Sequence, residues 1–585
     1  MVYGGCAVTI KGMTLTSSMI RAACMALFGV AVISSACAAS PQELRFTESP
    51  PEAKLFGDYL SGKYADNIED AQARSKFFSA AFARDPKNAQ LGSEAIRSAV
   101  LAGDMTLART LSIEMTSLDA TEPMARIVLS AYNMRRGKYD TASERLAQQP
   151  EDPALGVLMA MMEAWAQYGQ GNSTRALEIF NEIEVGGYFD VIAALQKAII
   201  YGETGQTEQA ERAFKTVSGT GVSPILRIMS EARYKSQNGD MQGATAVLED
   251  FSGRRGGVES GPIYSALTRL NSGKPLTKKF SAADHAGRSL IDPAGAYFSE
   301  GGAHNLAEFY LRIALIMSPD EDFGKIWLGN VLEREERVTE AEALYQQIKD
   351  SSDFSVTARL ARATLLFRDK QDDRAVGLLK KLVDDHPIFL VREALGRGYL
   401  IKEDYASALT QYTALVAEMN EAELTANPEP LYFKAICLQE LGRWDEAVAD
   451  LRRILALKPD YADALNFLGY SWVERGENLD EAFGMIRTAV KLEPESGAII
   501  DSLGWAHYKL GQYDEAMIHL EDATAKDPTS ATITDHLGDV YWKLGRKREA
   551  GYQWRRALDL DPTEKEIARI NVKLKSGLDA AAGMP

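Results

Sequence analysis

Residue types that could support catalysis or metal binding are present, but their spacing assembles no reactive site. The chain has six histidines, and none shows the His-x-x-x-His or Cys/His spacing that ligates a metal ion. Three of the four cysteines lie within the first 37 residues, and the fourth, Cys437, is expected to be a small buried residue. The sequence therefore predicts no enzyme, no cofactor and no bound metal.

A second pattern suits recognition rather than catalysis. In four successive segments near the C-terminal end, aromatic residues alternate with carboxylates at matched positions: Tyr432 and Phe433; Asp463, Phe467 and Tyr470; Asp501, Trp505 and Tyr508; Asp535, Asp539 and Trp542. Aromatic side chains anchor a partner at low conformational cost, and carboxylates favour basic or amine-bearing segments. The same rings could instead pack between neighbouring helices, and the sequence alone leaves both alternatives open.

The elements that position these residues follow from a repeat. Five glycines stand 34 residues apart, and an alanine follows each one five residues later. The glycines are Gly103, Gly137, Gly171, Gly205 and Gly239, and the alanines are Ala108, Ala142, Ala176, Ala210 and Ala244. The pair returns as Gly442/Ala447, Gly476/Ala482, Gly511/Ala516 and Gly545/Ala550. A period of this length is typical of stacked helical pairs, so we expect an all-α fold.

Each recurring position of the repeat has a physical cause. Glycine ends the first helix of a pair because it enters the left-handed conformation at little cost. Alanine lies where the two helices cross and a larger side chain would separate them. Proline after the second helix stops the hydrogen-bonded ladder. Between Glu336 and Glu403 other residues replace the turn glycine, although the alanine register continues.

The period is interrupted, which divides the chain. We expect an export signal at 1–38, a linker at 39–51, a first array at 52–251, an irregular joint at 252–300, a second array at 301–565, and a capping helix and tail at 566–585. After the joint the register resumes at Gly302/Ala307. The last segment is amphipathic, as the end of a repeat array must be.

The repeats resemble the tetratricopeptide repeat family in their period, small-residue pairs, turn glycine and end proline. The resemblance is most specific from Leu431 to Pro562. It implies a right-handed superhelix of helical pairs whose first helices line an inner, protein-binding groove. The order of features also resembles exported bacterial members of the family. One characterised member of that group is an outer-membrane lipoprotein that activates a periplasmic carboxyl-terminal processing protease.

The amino terminus and the charge bear on location and partners. Lys11 and Arg21 precede an apolar run at 22–33 and a small-residue stretch, which is the order of an export signal. Two outcomes remain open, cleavage before Ala39 or acylation of Cys37 in a lipobox-like sequence. The net charge of -17 argues against nucleic acid as a partner, because binding phosphates requires a basic face.

These observations lead to one main hypothesis and one alternative. The main hypothesis is a non-enzymatic interaction scaffold of the bacterial cell envelope, located in the periplasm or at the outer membrane, which tethers or activates a periplasmic protease and presents its substrates. Its partners would be one or more envelope proteins, and it would contact the membrane only through a lipid on Cys37. The alternative is an assembly component of a surface polysaccharide or outer-membrane secretion machine.

Overall fold

The computed structural model describes residues 51–148, 150–183, 187–217, 224–254, 261–277, 279–299 and 303–581. Over these residues the regular secondary structure is helical, which confirms the all-α prediction. The expected export signal, most of the linker, Cys37 and Gly302 lie outside the described residues. No helix in the described part combines the length and the apolar character needed to cross a membrane.

The helices follow one another as antiparallel pairs with short turns. In the N-terminal part they are α1 (Pro51–Asn67), α2 (Ala71–Arg84), α3 (Ala89–Leu101), α4 (Met105–Leu118), α5 (Pro123–Arg135), α6 (Tyr139–Leu146), α7 (Pro153–Gly169), α8 (Ser173–Glu182), α9 (Tyr188–Glu203), α10 (Thr207–Val217), α11 (Pro224–Gln237) and α12 (Met241–Arg254). Four helices follow: α13 (Gly261–Asn271), α14 (Ala282–Ser289), α15 (Ile291–Ser299) and α16 (His304–Met317).

The C-terminal part repeats the same arrangement. Its helices are α17 (Asp322–Arg334), α18 (Val338–Gln346), α19 (Ser355–Arg368), α20 (Asp372–Asp385), α21 (Phe389–Ile401), α22 (Tyr405–Glu418), the short α23 (Glu421–Ala426), α24 (Glu429–Glu440), α25 (Trp444–Leu457), α26 (Ala462–Arg475), α27 (Leu479–Leu492), α28 (Gly497–Lys509), α29 (Tyr513–Lys526), α30 (Ala531–Lys543), α31 (Lys547–Leu558) and α32 (Glu564–Ser576). A short 3-10 turn at Leu578–Ala581 ends the described chain.

The turn between the helices of a pair takes the predicted left-handed conformation. Gly442, for example, has φ +74°, and all the predicted turn glycines have positive φ. Where the sequence departs from glycine the conformation persists, because Glu336, Lys370 and Glu403 have φ of 59°, 53° and 55°. The turn is therefore imposed by the packing of the two helices, and glycine only lowers its cost.

The helices of a pair touch closely at the small residues. The predicted alanines at the crossing points are fully buried, from Ala108 in the first pair with this register to Ala550 in the last. A Cβ added to Gly504 would lie 2.7 Å from Leu520 and 3.3 Å from the carbonyl oxygen of Ala516. A side chain at that position would force the two helices apart.

The segment predicted as an irregular joint differs from that expectation. Helix α13 extends the N-terminal stack by packing on α12, and α14, α15 and α16 turn back onto the N-terminal pairs. Helix α14 contacts α5 and α7, α15 contacts α9, and α16 contacts α3 and α5. These partners are all first helices of pairs. The chain's own helices thus cover the face that the resemblance would assign to a ligand.

Specific polar contacts fix this covering segment in place. The Tyr310 hydroxyl donates to the Ala154 carbonyl oxygen at 2.5 Å. The fully buried Glu308 carboxylate accepts from Arg312 at 2.7 Å and from Arg337 at 2.9 Å. Arg337 also donates to the Leu101 carbonyl oxygen at 2.9 Å. One hydrophobic core accordingly runs from α2 to α9, through the covering helices and into the first pair of the C-terminal part, whereas α10, α12 and α13 pack in two separate clusters.

We predict opposite effects from two glycine-to-alanine substitutions. Gly442→Ala should lower the free energy of unfolding by about 1 kcal/mol, because an L-residue resists the left-handed conformation although the space around the Cβ is open. Gly484→Ala, inside α27 and equally open, should raise it by about 0.5 kcal/mol because alanine favours helix. Urea unfolding of both variants measures the two changes in the free energy of unfolding. Shifts of the same sign would contradict the argument.

Candidate protein-binding surface

The candidate surface lies on the first helices of the last four repeats, α24, α26, α28 and α30. Helices α26, α28 and α30 contact one another in succession, because each pair stacks on the one before it. Side chains one repeat apart therefore meet across the stack. All the predicted residues lie on these helices, and their burial divides them into an accessible group and a covered group.

The accessible group begins with rings on α24 and α26. Tyr432 meets Phe467 edge-on with ring centroids 5.8 Å apart, and Phe433 stacks on Tyr412 at 5.4 Å. Tyr432, Phe433 and Phe467 are half-buried, as is Tyr470. The rings therefore do both things that the sequence left open: they pack between helices and still present part of their surface.

An unpaired carboxylate, Asp463, accompanies these rings. Asp463 is exposed, and no described lysine or arginine pairs with it. Its partial burial, together with nearby Glu493 and Glu429, raises the pKa of the Asp463 carboxyl. Arg397 pairs with Glu429 at 2.9 Å, but Asp463 keeps a negative potential that a positive ligand would relieve. We call Glu429, Asp463 and Glu493 with the adjoining rings of Tyr432 and Phe467 the acidic patch.

Trp505 on α28 is held from several sides. Its ring stacks on Tyr508 at 4.6 Å and on His536 at 3.9 Å. The indole N–H donates to the Glu474 carboxylate, which also pairs with Lys509 at 3.1 Å. Trp505 is half-buried, so it joins neighbouring repeats rather than standing free as an anchor.

The three aspartates on α28 and α30 are not accessible. Asp501 is 6% exposed and contacts His536 Nδ1 at 2.9 Å. Asp535 is fully buried against Lys573, whose Nζ donates at 2.7 Å. Asp539 accepts from Lys573 Nζ at 2.8 Å and from Trp554 Nε1 at 2.9 Å. The prediction that these aspartates face a ligand therefore needs correction.

The cause is the last helix, α32, which occupies the position of a further first helix. Arg569 pairs with Asp535 at 3.0 Å across 34 residues, and Lys573 reaches Asp539 across the same interval. Trp542 is half-buried, and Gly577, directly after α32, packs against its ring. The sequence indicates this arrangement, because Arg569 and Lys573 each lie one repeat length after an aspartate.

Burial also shifts the pKa values in this cluster. Desolvation opposes the charged imidazolium of His536, but the adjacent Asp501 carboxylate outweighs it, and the pKa of His536 is raised. Desolvation and the neighbouring Asp535 raise the pKa of Asp539 to about 6 despite Lys573. The contacts of the cluster join α28, α30, α31 and α32 to one another. Nowhere in the described ranges do three His, Cys, Asp or Glu side chains group in a way that could hold a metal ion.

Comparison with known proteins identifies the repeats. A tetratricopeptide repeat model matches residues 434–497, and a TPR repeat model matches residues 504–545. A TPR repeat-containing protein of Pseudomonas aeruginosa is 30% identical over 196 residues, which cover 33% of this chain and 32% of that protein. Superkiller complex protein 3 of Mus musculus is 30% identical over 212 residues, 34% of this chain and 13% of that protein. The chain thus spans a third or less of these relatives' lengths.

Solved structures align over most of the chain at low similarity. The Cut9 and Hcn1 hetero-tetramer of the APC/C aligns with a TM-score of 0.35 and 15% identity over 90% of this chain and 98% of that one. Yeast Tom70 aligns with a TM-score of 0.35 and 13% identity over 90% and 96% of the two chains. The sequence matches establish that the C-terminal region contains tetratricopeptide repeats.

The contacts of Trp505 predict a loss of stability on truncation. Trp505→Ala should lower the free energy of unfolding by about 2 kcal/mol, because it removes two ring contacts and a hydrogen bond. Tyr508→Phe keeps the stacked ring and serves as the control, with little change expected. Chemical denaturation followed by circular dichroism measures both. An unchanged midpoint for Trp505→Ala would show that its packing carries no stability.

The buried cluster predicts that the terminal helices α28, α30 and α32 pack together more stably in mild acid. Because the folded-state pKa values of Asp539 and His536 are both raised, each group takes up protons on folding. The stability from Asp539 should fall as the pH rises from about 4 to about 6, and that from His536 as the pH rises above about 6.5. Protection of α32 amides from hydrogen exchange measures the effect.

Two variants separate the contributions of the two groups. Asp539→Asn should make amide protection less dependent on pH between about 4 and about 6. His536→Gln should do the same above about pH 6.5. If protection instead increased steadily toward pH 8 in the unmodified chain, the assignment of raised pKa values would be wrong.

Proposed function

We propose that this chain is a non-enzymatic scaffold of the bacterial cell envelope that holds protein partners on its C-terminal repeats. Tetratricopeptide repeats generally mediate protein–protein interactions, and residues 434–545 carry matches to them. The acidic patch is the observation on which the proposal rests. It combines accessible aromatic surface with the Asp463 carboxylate, which no described lysine or arginine neutralises.

The acidic patch lies between two parts of the array whose first helices are covered by other helices of the chain. Helices α14, α15 and α16 cover the first helices α3, α5, α7 and α9 of the N-terminal part. Helix α32 neutralises and covers the acids at the other end. The repeats between these two covered regions retain first-helix surface for a ligand, and α24 and α26 lie among them.

The chemistry of the patch indicates the type of partner. A segment with lysine or arginine side chains next to an apolar or aromatic residue would relieve the repulsion around Asp463 and cover the rings of Tyr432 and Phe467. Charge would chiefly accelerate association and select the partner, so binding should weaken as salt rises.

The envelope location and the protease are further parts of the proposal. The apolar run at 22–33 after Lys11 and Arg21 supports export. The resemblance to exported bacterial tetratricopeptide proteins supports a role in tethering or activating a periplasmic protease and presenting substrates to it. Cys37 is the residue that would carry a lipid anchor.

Charge reversal in the acidic patch tests the binding surface. We expect Asp463→Lys to reduce capture of the specific partners at least tenfold, about 1.4 kcal/mol of binding free energy. Folding should be unaffected because the side chain is exposed. The measurement is quantitative mass spectrometry of proteins that co-purify with the tagged chain from an envelope fraction, repeated at low and high salt.

Glu477→Lys is the matched control, because Glu477 is an exposed acid in the turn after α26 and not part of the patch. Equal capture by both variants would exclude the acidic patch as the binding surface. Recovery of no specific protein would contradict the scaffold itself. Recovery of membrane-embedded assembly subunits alone would favour the structural alternative.

A further inference from the structure

Helix α1, the first described helix, has a long apolar face that no other described residue covers. Phe56, Leu60, Tyr64 and Ile68 are 66%, 62%, 66% and 54% exposed. Phe56, Leu60 and Tyr64 are spaced by four residues along α1, so their side chains follow one another on the same side of the helix, and Ile68 follows directly after its end. Gly57, which lies beside this row, has open space where a Cβ would stand. Helices in contact with water rarely keep so many large apolar residues on one side.

The other side of α1 is packed normally, so the helix is a fixed part of the array. Tyr59 meets Phe78 of α2 edge-on at 6.1 Å, and Gly62 lies within close contact of the same ring. Arg84 of α2 pairs with Asp58 at 2.6 Å. The exposed row thus sits on a rigid helix at the end of the described stack.

The two ends of the described stack differ in this respect. At the C-terminal end, α32 turns exposed residues such as Lys565, Asn571 and Lys575 outward. A polar outer face of that kind is what terminal repeats need for solubility. Helix α1 instead presents an uncovered apolar row, as an internal helix would.

We propose that this face binds the same face of a second copy, with the two α1 helices antiparallel about a two-fold axis at Leu60. Phe56 and Tyr64 lie one helical turn before and after Leu60, about 6 Å away on either side. An antiparallel pair therefore sets Phe56 of each copy against Tyr64 of the other and the two Leu60 side chains against each other. A two-fold contact requires this kind of self-complementarity.

The charges on α1 favour the antiparallel arrangement. Lys54 stands near the start of the helix, and the exposed acids Glu69 and Asp70 follow its end. Antiparallel helices bring each Lys54 toward the acids of the other copy, whereas parallel helices would bring like charges together. The helix dipoles also oppose each other in this arrangement. With Asp58 and Asp66 included, acids outnumber the lysines along α1, which disfavours an anionic lipid surface as the occupant.

The contact is one helix face wide, so the dimer should be weak and should depend on protein concentration. Sedimentation equilibrium of the full chain over a hundredfold concentration range measures it. We expect Leu60→Glu to weaken self-association at least tenfold, because it sets two carboxylates together on the axis. Ile518→Glu, at a residue 62% exposed on α29, is the matched control and should leave self-association unchanged.

Cross-linking tests the geometry independently. In a full chain with Cys6, Cys24 and Cys37 changed to Ser, the remaining Cys437 is buried. A short bismaleimide should join Phe56→Cys in one copy to Tyr64→Cys in another far more efficiently than it joins two Phe56→Cys copies. Circular dichroism confirms that each variant is folded.

Three outcomes would overturn the proposal. They are a monomer at all concentrations, equal weakening by Leu60→Glu and Ile518→Glu, and preferential joining of two Phe56→Cys copies. Flotation of a monomeric chain with anionic vesicles, lost in Leu60→Glu, would assign the face to lipid instead.

Discussion

No helical pair in this chain can bury its own apolar surface, and the rest of the structure depends on how that surface is covered. Within the stack, each pair is covered by the next, and the crossing alanines and glycines let the helices approach closely. At the C-terminal end α32 takes the place of a missing first helix. In the N-terminal part the chain goes further, because α14, α15 and α16 return to cover the first-helix face of earlier pairs.

These two coverings use charge in the same way. Glu308 lies fully buried between Arg312 and Arg337, and Asp535 lies fully buried between Arg569 and Lys573. Buried ion pairs of this kind add little net stability, but losing one partner is costly. They therefore select one docking register for the covering helix, while the surrounding apolar contacts supply most of the stability.

The periodicity of the sequence was sufficient to predict the local structure. Turn conformations, crossing residues and the helical nature of the last segment all follow from a spacing of 34 residues. The left-handed turns at Lys370 and Glu403 show that the 34-residue spacing predicts the turn conformation even where glycine is absent. The return of the covering helices was not predictable, because it joins Tyr310 to Ala154 and Arg337 to Leu101, 156 and 236 residues apart. The periodicity predicts contacts between neighbouring repeats, and it gives no information about contacts between residues so far apart in the sequence.

The same spacing explains why the acids of the candidate surface divide into two groups. One repeat after Asp535 comes Arg569, and one repeat after Asp539 comes Lys573, so these acids serve to dock the next helix. One repeat after Glu429 comes Asp463, and one repeat after Asp463 comes Gly497, so the chain provides no cation there. Arg397 from the preceding repeat reaches Glu429 at 2.9 Å but leaves Asp463 without a counter-charge. An acid at this position of a first helix therefore indicates a ligand only where the following repeat fails to neutralise it, and Asp463 meets that condition.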